Sequence, residues 1–164
     1  MREIEAAVVR GPEEHAVETV TLDDPEPGEV LVGVRATGVC HTDYHAYTSD
    51  DTDFPVVLGH EGAGVVEAVG DDVSTVEPGD HVVLWVLPSC GDCEYCRSGQ
   101  PYLCQARRET RGQMMDGTHR LSQGGEPIDH FYAQSLFASM AVVPERQVVP
   151  VADDVPFEIG ALLG

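Results

Sequence analysis

The chain has 164 residues and carries 29 Asp and Glu against 9 Lys and Arg, a formal net charge of -20. All nine cations are arginines, and a surface so acidic argues against sequence-independent binding to nucleic acid or to an anionic membrane. With 42% hydrophobic residues and 24 valines, the composition is that of a folded chain leaning towards β structure, not of a disordered one.

In chain order, Ile4 to Arg10 reads as an opening strand, and Asp23-Asp24-Pro25-Glu26-Pro27-Gly28 as a turn. Glu29 to Thr37 alternates with period two and predicts a strand. Cys40 to Tyr47 predicts a short helix crowded with polar groups. Gly59 to Gly64 leads into a strand ending at Gly70, and Glu77-Pro78-Gly79-Asp80 turns into a strand over His81 to Leu87. Pro88 to Arg107 holds a cysteine cluster and predicts an irregular lobe. Arg111 to His130 is polar and glycine-rich, with weak strand signals. Phe137 to Pro144 and Gln147 to Val151 predict short strands, and Pro156 to Gly164 the start of a helix. Many short strands between Pro-Gly turns predict a mainly β fold, a partly open β-barrel with short helices.

Acidic pairs such as Asp50-Asp51 and Asp153-Asp154 recur along the whole chain. With no lysine present, this predicts adaptation to high salt, where screening weakens self-repulsion. No apolar run approaches the ~20 residues of a membrane helix, and residues 1–9 lack the apolar stretch of a secretory signal, so a cytoplasmic location is expected.

Five cysteines stand at 40, 90, 93, 96 and 104. An odd number with two-residue gaps is a poor disulfide framework and a good thiolate metal site. Cys90, Cys93, Cys96 and Cys104 match a closed tetrahedral zinc site, in which four thiolates leave no open position. Iron–sulfur ligation shares the ligands but would need a redox partner that nothing here supplies. A second grouping, Cys40, His41, Thr42, Asp43 and His45 with His60-Glu61, combines a thiolate, imidazoles and carboxylates. Spacing alone leaves a second metal site open there, because two firm ligands are few.

Three segments carry a resemblance: Gly38-Val39-Cys40-His41-Thr42-Asp43, Gly59-His60-Glu61-Gly62-Ala63-Gly64-Val65-Val66, and the lobe from Cys90 to Cys104. In this order they resemble the zinc-dependent medium-chain alcohol dehydrogenases. Met115 to Phe137 is similar to the branch holding the liver-type and glutathione-dependent formaldehyde enzymes. The resemblance implies a GroES-like catalytic domain over residues 1–164, with a structural-zinc lobe at about 88–107. It also implies a dinucleotide-binding domain beginning where this sequence stops, since no strand–GxGxxG–helix signature occurs here.

The resemblance further implies roles. Cys40 and His60 match ligands of a catalytic zinc, with a third, a Cys, expected just after Ala161-Leu162-Leu163-Gly164. Glu61 matches a carboxylate that exchanges with water on the metal, and Asp43 the group that accepts from His60. Thr42 would take the alcohol proton and His45 pass it to solvent. His41 would contact the pyrophosphate of NAD or NADP. Val86, Phe131 and Tyr132 match substrate-pocket positions. The expected substrate is a small-molecule alcohol or aldehyde, and the expected assembly of the full-length protein is a homodimer or homotetramer. The competing readings are a zinc-stabilised interaction module without catalysis and a structural module like a co-chaperonin.

Overall fold

The valine alternation in Glu29–Thr37 places its side chains on two faces, and in the computed structural model, which describes residues 1–164, both faces are used. Ten strands form: β1 (Arg2–Gly11), β2 (Glu14–Leu22), β3 (Glu29–Thr37), β4 (Val56–Val57), β5 (Gly62–Val69), β6 (His81–Leu84), β7 (Leu121–Gln123), β8 (Glu126–His130), β9 (Met140–Pro144) and β10 (Val148–Pro150). Four helices accompany them: α1 (His41–Thr48), α2 (Glu94–Arg97), α3 (Ala106–Glu109) and α4 (Phe157–Gly160).

One sheet closes on itself in the order β1-β2-β7-β8-β4, with β4 antiparallel to β1 and parallel to β8. The other stays open in the order β10-β6-β5-β3-β9. Leu31 of β3 and Val142 of β9 face the barrel core, with Ile4, Val8, Leu22, Val57 and Ile128. Val30 and Val32 face a second core with Val66, Val82, Leu84 and Val148. β3 is therefore buried on both sides over residues 29–33, and only its end, at Arg35 and Thr37, reaches solvent.

β2 has no counterpart among the predicted strands. Its Val17 is 71% exposed and only Val20 and Leu22 are buried, so its apolar period is too faint to read. It forms because β1 offers nearly its whole length as a pairing edge. β6 ends at Leu84, short of the predicted Leu87, because the next two carbonyls turn to side-chain amides. β9 begins at Met140 and not at Phe137, because Phe137 to Ser139 bond to β1, through Ala7 N to Phe137 O and Ser139 N to Glu5 O, both 2.8 Å. α4 is a single turn. No helix is long and apolar enough to cross a membrane.

A buried ion pair joins the sheets. Arg120 donates from Nε and Nη2 to the Glu29 carboxylate at 2.8 and 2.9 Å, and from Nη2 to Asp116 at 2.7 Å. Both Arg120 and Glu29 are buried, so removing either partner would strand a charge, at a cost of about 3–5 kcal/mol.

Candidate metal centres

The four lobe cysteines converge. Their sulfurs all lie within 4.8 Å of one another, with Cys90–Cys96 at 4.0 Å and Cys90–Cys104 at 3.6 Å. Tetrahedral zinc with bonds of about 2.3 Å needs sulfurs about 3.8 Å apart, so the donor set fits the ion. Backbone N–H groups of Asp92 and Cys93 point at Cys90 Sγ at 3.5 and 3.4 Å, and the N–H of Cys90 points at Cys104 Sγ at 3.3 Å. Such donors favour thiolates.

Backbone donors from Cys96 and Gln105 bring Cys93 down to about 6. Burial, with the neighbouring sulfurs, pushes Cys96 up to about 12. Four sulfurs this close cannot all ionise without a cation among them, and a divalent ion removes that conflict.

The second cluster is assembled from separate elements. Cys40 caps the N-terminus of α1, its sulfur accepting from the Thr42 N–H at 3.5 Å, while the Asp43 carboxylate accepts from the Cys40 N–H at 3.0 Å. The other oxygen of Asp43 accepts from the Gly59 N–H at 3.0 Å and from His60 Nδ1 at 3.2 Å. Asp43 is 2% exposed and spends its acceptor capacity inside the site. Because Nδ1 of His60 donates to Asp43, its Nε2 is the nitrogen left free to ligate. Gly59 sits at φ +94°, and a side chain there would run into Phe137 N at 2.6 Å. A Cβ at Gly38 would collide with the Glu61 carboxylate, so glycine at 38 lets that carboxylate come in.

Cys40, His60 and Glu61 bring three donor atoms within 4.8 Å of one another. The thiolate–imidazole–carboxylate set suits zinc, and three protein donors leave a position open. The N–H and hydroxyl of Thr42, with His60, hold the Cys40 thiol below its ordinary value. Burial would lower His60, but the bond to Asp43 and the charges of Asp43 and Cys40 outweigh it and hold the imidazole above its ordinary value.

Thr42 and His45 are exposed, one helical turn apart, and line a cleft of about 590 Å³ with Phe131 and Tyr132. No hydrogen bond joins Thr42 to His45; the Thr42 hydroxyl lies 3.6 Å from Cys40 Sγ. The rings of Phe131 and Tyr132 pack on His60 at 5.5 and 5.2 Å between centroids. His41 is exposed at the start of α1 beside Tyr44. Val86 is half-buried and does not line this cleft.

The cleft also holds residues outside the predicted set: Arg107, Arg108 and Arg111, with Asp51, Asp53 and Asp129 on the same lining. Five of the nine arginines pair with carboxylates, namely Arg2, Arg10, Arg35, Arg97 and Arg120. The three in the cleft do not: Arg107 donates to the Tyr102 carbonyl and Arg111 to the Asp51 carbonyl. Their clustering within five positions was a readable sequence signal.

Residues 26–153 match the family model described as the alcohol dehydrogenase GroES-like domain. An S-(hydroxymethyl)glutathione dehydrogenase of Escherichia coli O1:K1 is 47% identical over 154 residues, and the match spans 90% of this chain but 42% of that protein. The crystal structure of an alcohol dehydrogenase zinc-binding domain protein from Burkholderia ambifaria superposes with a TM-score of 0.92 at 41% identity, over 99% of this chain and 45% of the other. Benzyl alcohol dehydrogenase from Acinetobacter calcoaceticus superposes with a TM-score of 0.90 at 37% identity, over 100% of this chain and 45% of the other. The chain thus spans less than half the length of each of these relatives.

Proposed function

Given that the chain belongs to the alcohol dehydrogenase GroES-like domain family, we propose that it is the catalytic part of a zinc- and NAD(P)-dependent dehydrogenase whose substrate is an alcohol bearing an anionic group. The observation that carries the reading is the three-donor cluster Cys40–His60–Glu61 standing beside the Thr42 hydroxyl and a cleft that holds three arginines without carboxylate partners. The proposal includes a nucleotide-binding domain and a further Cys ligand beyond Gly164.

Cys40, His60 and Glu61 would hold the catalytic ion, and Cys90, Cys93, Cys96 and Cys104 the structural one. Zinc held at the first site supplies Lewis-acid activation of an alcohol oxygen, and a nicotinamide cofactor supplies the hydride acceptor. The chain's own residues do the rest. Asp43 orients His60 through Nδ1. The Thr42 hydroxyl takes the alcohol proton as it passes its own on, and His45, on the same stretch of cleft wall but not bonded to Thr42, receives a proton by way of an intervening water and releases it to solvent. His41 is assigned to the cofactor pyrophosphate. Phe131 and Tyr132 keep water from the face of His60 and wall the substrate.

Two of the three relatives are named for a substrate. S-(hydroxymethyl)glutathione carries carboxylates; benzyl alcohol carries none. In a chain of net charge -20, three arginines that form no ion pair, even with Asp51, Asp53 and Asp129 on the same lining, favour the charged substrate, because free guanidinium groups bind carboxylates bidentately. The aromatic pair Phe131–Tyr132 is what favours the neutral one.

The test is an NADH and NADPH absorbance assay of the full-length gene product with both alcohols. Replacing Arg107, Arg108 and Arg111 together by Ala is expected to raise KM for S-(hydroxymethyl)glutathione roughly tenfold or more and to leave that for benzyl alcohol nearly unchanged. Equal loss for both alcohols, or a preference for the neutral one in the unaltered protein, would remove the anionic assignment. The 164-residue chain alone is expected to turn over at least about 100-fold more slowly, since it would lack a positioned hydride acceptor.

A further inference from the structure

Two fully buried glutamines lie outside every role assigned above. Gln134 and Gln147 are both 0% exposed. Nε2 of Gln147 donates towards three backbone carbonyls, of Trp85 at 3.0 Å, Val86 at 3.3 Å and Tyr132 at 3.1 Å. Nε2 of Gln134 donates to the same Trp85 carbonyl at 2.5 Å. The backbone carbonyl of Gln147 in turn accepts from the Trp85 N–H at 2.7 Å. Trp85 is thereby held at both its backbone groups. The Oε1 atoms of the two glutamines have no partner.

This orientation is forced. Turning the Gln147 amide over would set its oxygen against converging carbonyl oxygens, so the NH2 group must face them.

The segment so held needs holding. Tyr132, Ala133 and Ser135 have φ of 55°, 57° and 63°, a left-handed backbone that non-glycine residues seldom adopt. This turn carries Phe131 and Tyr132, whose rings pack on His60.

We propose that Gln134 and Gln147 are positioning residues, a paired strap that ties the strained Phe131–Ser135 turn to the Trp85–Val86 backbone and so fixes the aromatic wall over His60. Its effect on substrate binding rests on the dehydrogenase reading; the strap itself does not. Val86, though absent from the cleft lining, is connected to it through the Gln147 bonds to Val86 O and Tyr132 O.

Trp85 is the only tryptophan in the chain; the residue is already 46% exposed, but its backbone carbonyl is the acceptor both glutamines share, so its fluorescence follows the strap while segment-resolved exchange reads it directly. Acrylamide quenching and emission anisotropy are measured for Gln147→Leu, Gln147→Glu and Gln134→Leu, with amide hydrogen exchange resolved by segment. Val8→Ala is the control, a truncation in the barrel core that touches no strap bond. The strap variants are expected to raise the Trp85 quenching constant about twofold and to speed exchange over residues 131–136 about tenfold, leaving β1 and β2 within twofold. Gln147→Glu is expected to be the worst, because it sets a carboxylate against three carbonyls. The control is expected to lower Tm without changing the quenching. Unchanged exchange over residues 131–136 in both leucine variants, or the same change in the control, would overturn the strap.

A kinetic arm uses the full-length product. The leucine variants are expected to raise KM about fivefold with kcat within twofold, a split that global destabilisation would not produce. Quenching that moves while KM stays put would overturn the link to substrate. If the unaltered protein oxidises no alcohol, the functional reading falls, and the fluorescence and exchange results still decide the strap.

Discussion

The two sulfur-bearing clusters are built by opposite means. The lobe takes all four donors from one segment of 15 residues, Cys90 to Cys104, whose only regular structure is α2 and one 3-10 turn at Pro101–Leu103. None of its side chains belongs to a hydrophobic cluster. The Cys40–His60–Glu61 cluster draws its donors from the N-cap of α1 and the approach to β5, and the buried Asp43 ties these elements together. In the lobe the ion would organise the chain. In the second cluster the chain has already organised the donors.

The sharpest way to break this comparison is to take the metal away. Chelation, or Cys96→Ala, is expected to abolish exchange protection over residues 88–107, because four-thiolate zinc binding contributes on the order of 10 kcal/mol that such a lobe lacks otherwise. Protection in the barrel strands should persist. Zinc analysis of the unaltered chain after mild dialysis should give close to one tightly held ion. A lobe that stays protected without metal would show that the contrast is false.

Asp43→Ala attacks the other side. It strands the N–H groups of Cys40 and Gly59 and leaves His60 Nδ1 without its acceptor, all in a buried place. The expected loss is about 3 kcal/mol of stability, read from urea unfolding, with the lobe zinc retained. Loss of the lobe zinc as well would mean that the two clusters are coupled.

A pH-dependent effect, absent at neutral pH, separates the barrel from the lobe. His130 is buried beneath the cleft, its Nε2 accepting from the Arg120 N–H at 2.9 Å. Burial, with the charges of His119 and Arg120, drives it from 6.5 down to about 3. Between those values the unfolded chain binds a proton that the folded chain refuses, so stability is complete above pH 6.5 and falls as pH drops towards 3. The slope from this one group is at most about 1.4 kcal/mol per pH unit. Asp116, where burial is outweighed by bonds from Thr118 and Arg120, is lowered from 3.8 to about 2 and adds a further loss in that lower range. His130→Gln is expected to flatten the profile between pH 4 and 6 in thermal melts. An unchanged profile would shift the acid sensitivity to the lobe thiolates.

Legibility follows the same division. The lobe could be read because its four donors lie close in sequence, and spacing is geometry when a loop folds round one ion. The short helix after Cys40 was readable from its polar crowding. By contrast, the pairing of Asp43 with His60 spans 17 positions, and only the resemblance suggested it. β2 escaped because an exposed strand has little apolar period to show. Gln134 and Gln147 gave no signal at all, since a glutamine in sequence is an ordinary surface residue and only burial makes it a clamp.

By itself, the amino-acid sequence determined the β-rich class, the acidic surface, the thiolate lobe and the family, because each depends on composition or on local order. The tertiary structure alone decided that one sheet closes while the other stays open, that β3 lies between two cores, and that three of the nine arginines gather unpaired in one cleft. It also set Phe131 and Tyr132 on His60 and the two glutamines behind them. These are contacts between residues distant in the chain, and they exist only once burial has settled which groups lose water and must find partners inside.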